Sequence, residues 1–393
     1  MMIMDFIAQY NQWIFWFDHI LFFLVALPVA YILIFALASL HKRQAKFLPA
    51  RKEYRYVFLI PGFEIDDRIY ETIYSLHSQD FPDVNYDIVV IPQKIDNENL
   101  KKLVAMQVTV LSCPKQAYSR RTALQHAVEQ LNPDQYDVAV ILKPTNTLEP
   151  DFLKKINQAY HSGGTAIQTH RISKRVKGSM GTLSALSEEI NNSIFRRGHV
   201  NLGLSSSLIG SGMAFKYTWF RENILKMQGY GITKDLEARL LRQGIYIEYL
   251  ENVPTYEDKT NSFSAINRQR KDWYNANKFS MRDAMRFFPR AFFAGNIDYC
   301  DKIFQWKMPS RFLLILYIIA FAVALSFVEF ALSLKWIALL IALLFAFLLA
   351  IPERFINIRT FFAFLSLPFL IFAVIFDKMS ARFSKTEPAE PME

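Results

Sequence analysis

The chain has 393 residues and a formal net charge of +9, long enough for one large globular body plus further segments. Its 35 phenylalanines and 52% hydrophobic content are concentrated at the two ends, which excludes a plain soluble chain and predicts a membrane protein with a soluble middle. Two distant cysteines, Cys113 and Cys300, exclude a disulfide framework and a cysteine-based zinc site, and predict a reduced, cytosolic main domain. The basic excess fits a positive-inside bias and contact with anionic lipid head groups. Nucleic acid is not expected as a partner, because no compact basic motif with interleaved aromatics occurs.

Residues 1–41 are expected to form an N-terminal segment and a transmembrane helix. His19 to Leu40 holds no Asp, Glu, Lys or Arg and is long enough to cross a hydrocarbon layer of roughly 30 Å. Pro28 is tolerable there, as in other membrane helices. Lys42, Arg43, Lys46, Arg51 and Lys52 follow directly. This asymmetry predicts an integral protein of the inner (plasma) membrane, with its N-terminus outside and the next domain in the cytosol. A cleaved signal peptide fits less well, because the basic flank follows the apolar run.

Residues 42–273 are expected to form the cytosolic domain. "YRYVFLIPGF" reads as a strand ending in a Pro-Gly turn, and "DDRIYETIYSLHSQ" has helical spacing. "YDIVVIPQ" and "QVTVLSC" are further strands, "SRRTALQHAVEQL" is a helix and "YDVAVILK" a fourth strand. Thr147 and Glu149-Pro150-Asp151 read as the opening of another helix. The rhythm predicts an α/β domain with a mostly parallel sheet covered by helices on both faces. Ligands in such sheets bind beyond the carboxyl ends of the strands. That places Gly62 to Asp67, Pro92 to Asp96 and Lys143 to Thr145 around one crevice.

Residues 274–311 mix basic residues with Phe and Trp, as amphipathic helices at a membrane surface do. Residues 312–379 are expected to be a C-terminal membrane region. Phe312 to Val328 and Trp336 to Ile351 read as a helical hairpin, with Glu329 and Lys335 near the outer interface. Thr360 to Phe376, broken by Pro368 and basic on both flanks, reads as a re-entrant or in-plane segment, with a full crossing as competitor. Residues 380–393 read as a disordered tail.

The order of segments resembles the membrane-bound family 2 glycosyltransferases, the cellulose- and hyaluronan-synthase-like group. The resemblance covers roughly residues 55 to 310 and is most specific from Gly178 to Trp273. "IPGFEIDDRIYETIYSLHSQDFP" is similar to that family's opening strand and helix, and "LEPDFL" to the segment after its metal motif. "GSGMAF" (Gly210 to Phe215), "GITKDLEARLLRQG" and "NRQRKDW" are similar to its acceptor-site, base and product-side motifs. The resemblance implies a GT-A-like fold flanked by transmembrane helices. It also implies Asp235 as the catalytic base of a sugar transfer, inverting by analogy.

The residue chemistry agrees with those assignments. Inverting transfer needs a base for the acceptor hydroxyl and positive charge or a metal for the departing phosphate. Asp235 lies at a helix start after Gly229 and Gly231, where a carboxylate is favoured; a plain helix cap is the other reading. Gly210, Ser211 and Gly212 let backbone approach a ligand closely. Gln269, Arg270 and Trp273 resemble a Q-x-x-R-W acceptor motif, although Asp272 takes the place of its arginine. An interfacial tryptophan with snorkelling arginines is the competing account.

The departures from the family lie on the donor side. Ile91 and Pro92 replace adjacent acids at the end of the second strand, leaving Asp96 downstream. Ile65 replaces the first-strand acid, with Glu64 beside it. Lys143-Pro144-Thr145 replaces Asp-x-Asp, and neither Lys nor Thr holds Mg2+ or Mn2+. No metal site or cofactor is therefore expected, unless carboxylates outside the motif supply one. Lys143, Thr145, Arg120, Asp96 and Glu64 are then the candidate donor or phosphate-binding residues, with Lys143 in the metal's electrostatic place. Two functions follow. One is transfer from a nucleotide sugar or lipid-phosphate sugar to a lipid-linked or glycan acceptor in cell-envelope polysaccharide biosynthesis. The other is an inactive scaffold or regulatory subunit beside partner membrane subunits. His126 and His170 read as structural. Glu188, Glu189 and Asn192 share a helix face, either roofing an acceptor channel or solvated at the surface.

Overall fold

The computed structural model describes residues 2–41, 47–113, 119–176, 178–228, 231–258 and 280–366. A 37-residue helix, α1 (Met2–Ala38), opens the chain. The α/β body then begins with β1 (Tyr56–Glu64), α2 (Arg68–His77), β2 (Tyr86–Lys94), α3 (Asn97–Ala105) and β3 (Thr109–Val110). It continues with α4 (Arg120–Gln130), β4 (Val138–Ile141), β5 (Asn146–Leu148), α5 (Phe152–His161) and β6 (Ala166–Ser173). Next come α6 (Gly178–Asn192), a π-helical turn (Ser193–Gly198) and the single turn α7 (His199–Asn201). β7 (Met213–Lys216), α8 (Tyr217–Leu225), α9 (Ile232–Arg242) and β8 (Glu248–Glu257) complete the sheet. Helices α10 (280–293), α11 (Ile297–Lys307), α12 (Arg311–Ser326), α13 (Phe330–Ala350) and α14 (Ile358–Leu365) follow.

The eight strands form one sheet in the order β3-β2-β1-β4-β7-β6-β8-β5. β3, β2, β1 and β4 are parallel, β7 runs antiparallel between β4 and β6, and β6 and β8 are parallel. Side chains alternate across the sheet, so continuous apolar runs supply two cores. Val57, Leu59, Ala139, Ile141 and Phe215 pack against α4, α8, α9 and residues of α10 and α11. Tyr56, Phe58, Ile60, Val138 and Val140 pack against α2, α3 and α5.

Two local expectations are corrected. Thr147 lies in strand β5, paired with Tyr256, and helix α5 begins only at Phe152. The short strand forms because β8 offers an edge there, a long-range contact that the local Glu-Pro-Asp pattern does not carry. Glu188, Glu189 and Asn192 do not solvate a surface. They are 7%, 3% and 3% exposed, because α6 turns that face onto β6 and its partners are basic.

A third apolar cluster joins α1, α6, the π-helical turn, α12 and α13. Phe15–Ala38 and Phe330–Ala350 are long and apolar enough to cross a membrane, and α11 and α12 form a pair bent by 63°. Asp18 of α1, 3% exposed, accepts from Trp336 Nε1 at 2.7 Å and pairs with Lys335, so α1 and α13 are fastened at one end. At the other end α1 is fastened to the sheet domain. Asn201 Nδ2 donates to the carbonyls of Ala38 and His41 (2.9 and 2.6 Å), and Phe35 stacks on the buried ring of His199 at 3.7 Å. A Cβ on Gly198 would collide with the Phe35 carbonyl, so glycine sets how closely α1 approaches. Tyr31 Oη donates to Asp301 Oδ1 at 2.7 Å and lies 2.7 Å from His199 Nε2, linking α1, α7 and α11.

Within the expected hairpin of residues 312–351, helices α12 and α13 pack against each other, and α13 begins at Phe330, so Lys335 lies inside it. Of the expected third apolar segment, residues 360–366 are described: α14 packs along α6, and the remainder lies outside the described residues. The tail 380–393 also lies outside them.

Candidate functional site

Because β1, β2, β4, β6 and β8 all point the same way, their last residues share one sheet edge. Gly62 pairs with Pro92, and Ser173 with Glu257. β7 runs the other way, so the turn Gly210-Ser211-Gly212 that precedes it reaches the same edge. It enters beside Ile141, whose carbonyl accepts from Gly212 N at 2.9 Å.

The turn is held from below. Gln168, fully buried, donates through Nε2 to the carbonyls of Ser211 and Gly212 (3.0 and 3.2 Å) and accepts from Ile209 N at 2.9 Å. Gly210 and Gly212 have φ of +83° and +62°, a left-handed backbone that glycine alone adopts cheaply. A Cβ at Gly212 would also collide with Thr169 Oγ1 and sit 2.6 Å from Thr255 Oγ1. A Cβ at Gly210 would sit 3.0 Å from Arg120 Nη1 and 3.2 Å from Thr233 Oγ1. Arg120 Nη2 donates to the Gly210 carbonyl. The first turns of α4 and α9 thus converge on the glycine turn. Ser211 Oγ is buried and has no hydrogen-bond partner among the described residues.

Lys143 extends from the end of β4. Its backbone N–H donates to Asn146 Oδ1 at 2.8 Å, which fixes the turn. Its Nζ lies 2.6 Å from Glu257 Oε1; the side chains are 35% and 9% exposed. Glu257 Oε2 lies 3.3 Å from Arg171 Nε. Arg171 also donates through Nη2 to Glu188 Oε2 at 2.7 Å and through Nη1 to the Ile209 carbonyl at 3.0 Å. Glu188 Oε1 lies 3.5 Å from Arg196 Nη1. Desolvation, with Arg171 and Arg120 adding to it, holds the Lys143 ammonium below the usual lysine range against the pull of Glu257.

Asp235 lies in the first turn of α9. Gly231 is the cap residue, so Asp235 does not cap the helix. Its carboxylate, 15% exposed, accepts from Arg239 Nε at 2.7 Å. Thr233, two residues earlier and about 200° round the helix, is the α9 side chain that approaches Gly210. Lys234 and Glu237 pair at 2.7 Å on a buried face, where Lys234 also covers the ring of Trp306.

Of the other candidates, Asp96 caps α3 and accepts from Asn99 N at 2.7 Å; that bond holds its carboxyl below the usual range. Glu64 ends β1. Thr145 follows Pro144 in the β4–β5 turn, where its carbonyl accepts from Asp258 N at 3.4 Å. Gln269, Arg270 and Trp273 lie outside the described residues. Arg171 was missed by the sequence reasoning, although it is the hub of the cluster. Its only signal was alternation within "THRISKR", which puts it on the opposite face from His170. His170 faces Glu189 at 3.2 Å.

Among the described residues no group of three or more His, Cys, Asp or Glu could hold a metal ion. At the position of the family's metal motif, Glu257, the carboxylate that meets Lys143, is already shared between Lys143 and Arg171, and Asp258 beside it pairs with Arg175. A divalent cation would meet two fixed positive charges there, so these residues do not fit Mg2+ or Mn2+.

The family model described as "Glycosyl transferase family group 2" matches residues 143–349. A mannosyltransferase from Pyrobaculum calidifontis, solved with GDP-Man and Mn2+, aligns at TM-score 0.52 and 13% identity, over 81% of this chain and 98% of that one. S. aureus TarS 1-349, solved with UDP-GlcNAc, aligns at TM-score 0.41 and 14% identity, over 59% of this chain and 66% of that one. Glucosyl-3-phosphoglycerate synthase from Mycobacterium tuberculosis, solved with Mn2+, UDP and glucosyl-3-phosphoglycerate, aligns at TM-score 0.39 and 14% identity, over 56% and 77%. The first likeness shows a shared GT-A-like fold; the other two are too distant to carry an argument. No curated protein matches the chain significantly.

Proposed function

The chain belongs to glycosyl transferase family group 2, and from that premise we propose that it transfers a sugar from an activated donor to a lipid-linked or polysaccharide acceptor at the cytosolic face of a membrane. Asp235 is the base, and Lys143, Arg171 and Arg120 receive the donor phosphate. The observation that carries this reading is the meeting of three cations, the Gly210 turn and Thr233 of α9 at one sheet edge; Asp235 is taken as the base from the family resemblance, its carboxylate lying round α9 from Thr233 and paired with Arg239.

In this mechanism the acceptor hydroxyl attacks the anomeric carbon while Asp235 takes its proton. The bond from that carbon to the donor phosphate breaks, and its electron pair stays on the phosphate oxygen. Fixed cations aimed at the developing charge need no reorganisation during the step. Gly210 and Gly212 bring backbone close to the acceptor, and Ser211 Oγ is a spare donor or acceptor. Membrane attachment is supported by the two apolar helices, and cytosolic orientation by the basic residues that follow α1.

The test is purified full-length protein with a panel of nucleotide sugars and lipid-phosphate sugars, using membrane extract as the acceptor source. Sugar transfer is expected, falling about 10²–10⁴-fold in Asp235→Asn with the melting temperature kept. Unchanged turnover in that variant removes Asp235 as base. No transfer from any donor by folded wild-type protein favours the scaffold role.

A further inference from the structure

We infer that Lys174 and Arg175, which follow the end of β6, bind the diphosphate of a nucleoside diphosphate sugar donor, and that Glu71 of α2 competes with the donor for both cations. The inference rests on the transfer reading above and adds two donor-binding residues and their competitor to it.

The first support is where the two cations stand. Ser173 pairs with Glu257 at the sheet edge, and Lys174 N donates to the Glu257 carbonyl at 2.9 Å. Lys174 and Arg175 thus lie beside the residue whose carboxylate meets Lys143 at 2.6 Å. From there they reach across to α2. Lys174 Nζ donates to Glu71 Oε2 at 2.6 Å, and Arg175 Nη2 to Glu71 Oε1 at 3.0 Å. Thr72, the next residue of α2, donates through Oγ1 to the Pro144 carbonyl at 2.8 Å. Asp258 N donates to the Thr145 carbonyl at 3.4 Å, and its carboxylate lies 3.4 Å from Arg175 Nη1. These contacts close a ring around the turn that follows β4. That turn takes the place of the family's metal motif, so the two cations border the position of a departing phosphate.

The second support is that this pairing opens easily. The side chains of Glu71 and Arg175 are half exposed, and that of Lys174 is 30% exposed. Exposed ion pairs contribute little and are screened by solvent and salt. A diphosphate carries more negative charge than one carboxylate and presents several oxygens to an arginine fork and an ammonium. Arg171, by contrast, is buried between Glu188 and Glu257, so exchange of partners falls to the exposed cations. Other exposed pairs, such as Glu98 with Lys102 and Asp151 with Lys155, join residues one turn apart on a helix. The Glu71 pairs join α2 to the end of β6 across 103 and 104 residues of sequence. They are therefore set by the sheet edge and not by helix spacing.

The third support is chemical need. The bond from the anomeric carbon to the donor phosphate breaks with its electron pair on oxygen, and that charge needs fixed positive groups close by. A divalent ion does not fit beside Lys143 and Arg171. Lysine and arginine supply positive charge with no coordination geometry to satisfy. Lys174 and Arg175 bring it from the side of the ring opposite α2.

The experiment is calorimetric titration of UDP, GDP and inorganic pyrophosphate into full-length protein in nanodiscs, with EDTA present and the melting temperature read for every variant. UDP or GDP is expected to bind, with pyrophosphate competing for the same cations. Lys174→Met and Arg175→Met are each expected to weaken nucleotide binding about 10-fold, the loss of one charge-assisted contact. Lys174→Arg is expected to keep most of the affinity. Glu71→Gln is expected to tighten binding about 2–5-fold, because the competing charge is gone. A purely structural pair gives the opposite sign, since losing Glu71 then loosens the edge. The inference is overturned by nucleotide binding that ignores both Lys174→Met and Arg175→Met in folded protein, by unchanged or weaker binding in Glu71→Gln, by binding that requires Mn2+, or by no binding to folded wild-type protein. Nucleotide binding in the expected pattern without sugar transfer refutes the transfer reading alone. Transfer with an unchanged donor KM in both Lys174→Met and Arg175→Met refutes this inference alone.

Discussion

Glu257→Gln tests the electrostatic core of the site most directly. Glu257 is 7% exposed and faces two cations, Lys143 Nζ at 2.6 Å and Arg171 Nε at 3.3 Å. Arg171 keeps Glu188 at 2.7 Å after the change, so the group left exposed to repulsion is Lys143. A fully buried pair broken on one side costs about 3–5 kcal/mol. The Lys143 side chain is 35% exposed, so solvent screening reduces the cost to roughly 2 kcal/mol. In a domain of this size that lowers the melting temperature by roughly 4–8 °C. Lys143→Met in the same background removes the repelled charge and should restore most of the loss. Differential scanning fluorimetry of the four proteins of the double-mutant cycle, in one detergent, reads the coupling. A coupling below about 0.5 kcal/mol, or no recovery in the double variant, refutes the pairing drawn here.

Three further outcomes are expected. Gly212→Ala places a methyl against Thr169 and Thr255 at φ +62°, and should cost about 2–3 kcal/mol together with loss of sugar transfer; a stable, active variant shows that the turn is slack. Gly198→Ala pushes against the Phe35 carbonyl and should destabilise the α1 junction by about 1–3 kcal/mol, read as faster proteolysis between α1 and β1. Sugar transfer by the wild-type protein should weaken along an alkaline limb. As pH rises the depressed Lys143 ammonium loses its proton and becomes a neutral amine, so the midpoint falls below the ordinary lysine value of about 10.4. The limb should be absent in Lys143→Arg, and a limb that persists there assigns it to another group.

The two helices long and apolar enough to cross a membrane, the alternation of strands and helices, and the glycine turn before β7 were legible from local pattern. An apolar run of spanning length has few other homes, and a strand buried on both faces reads as a continuous run of Val, Ile, Leu and Phe. The place of Lys143 at the end of β4 was legible too, because the βα rhythm fixes which strand ends share an edge. Of the two readings of Glu188, Glu189 and Asn192, the solvated face failed for an instructive reason. Charge spacing on a helix shows that residues share a face; it does not show what that face meets.

The sequence by itself determined which residues could bear charge at the sheet edge, because period and turn chemistry are local properties of the chain. Only the tertiary structure decided how those charges pair. Glu257 comes from a strand more than a hundred residues after Lys143 and reaches it because β8 lies beside β6 and β5. Arg171 becomes the hub for the same reason, with α6 folded over its end of the sheet. Pairings of this kind depend on which strands become neighbours, and that is settled by burying the two apolar faces together rather than by any local pattern.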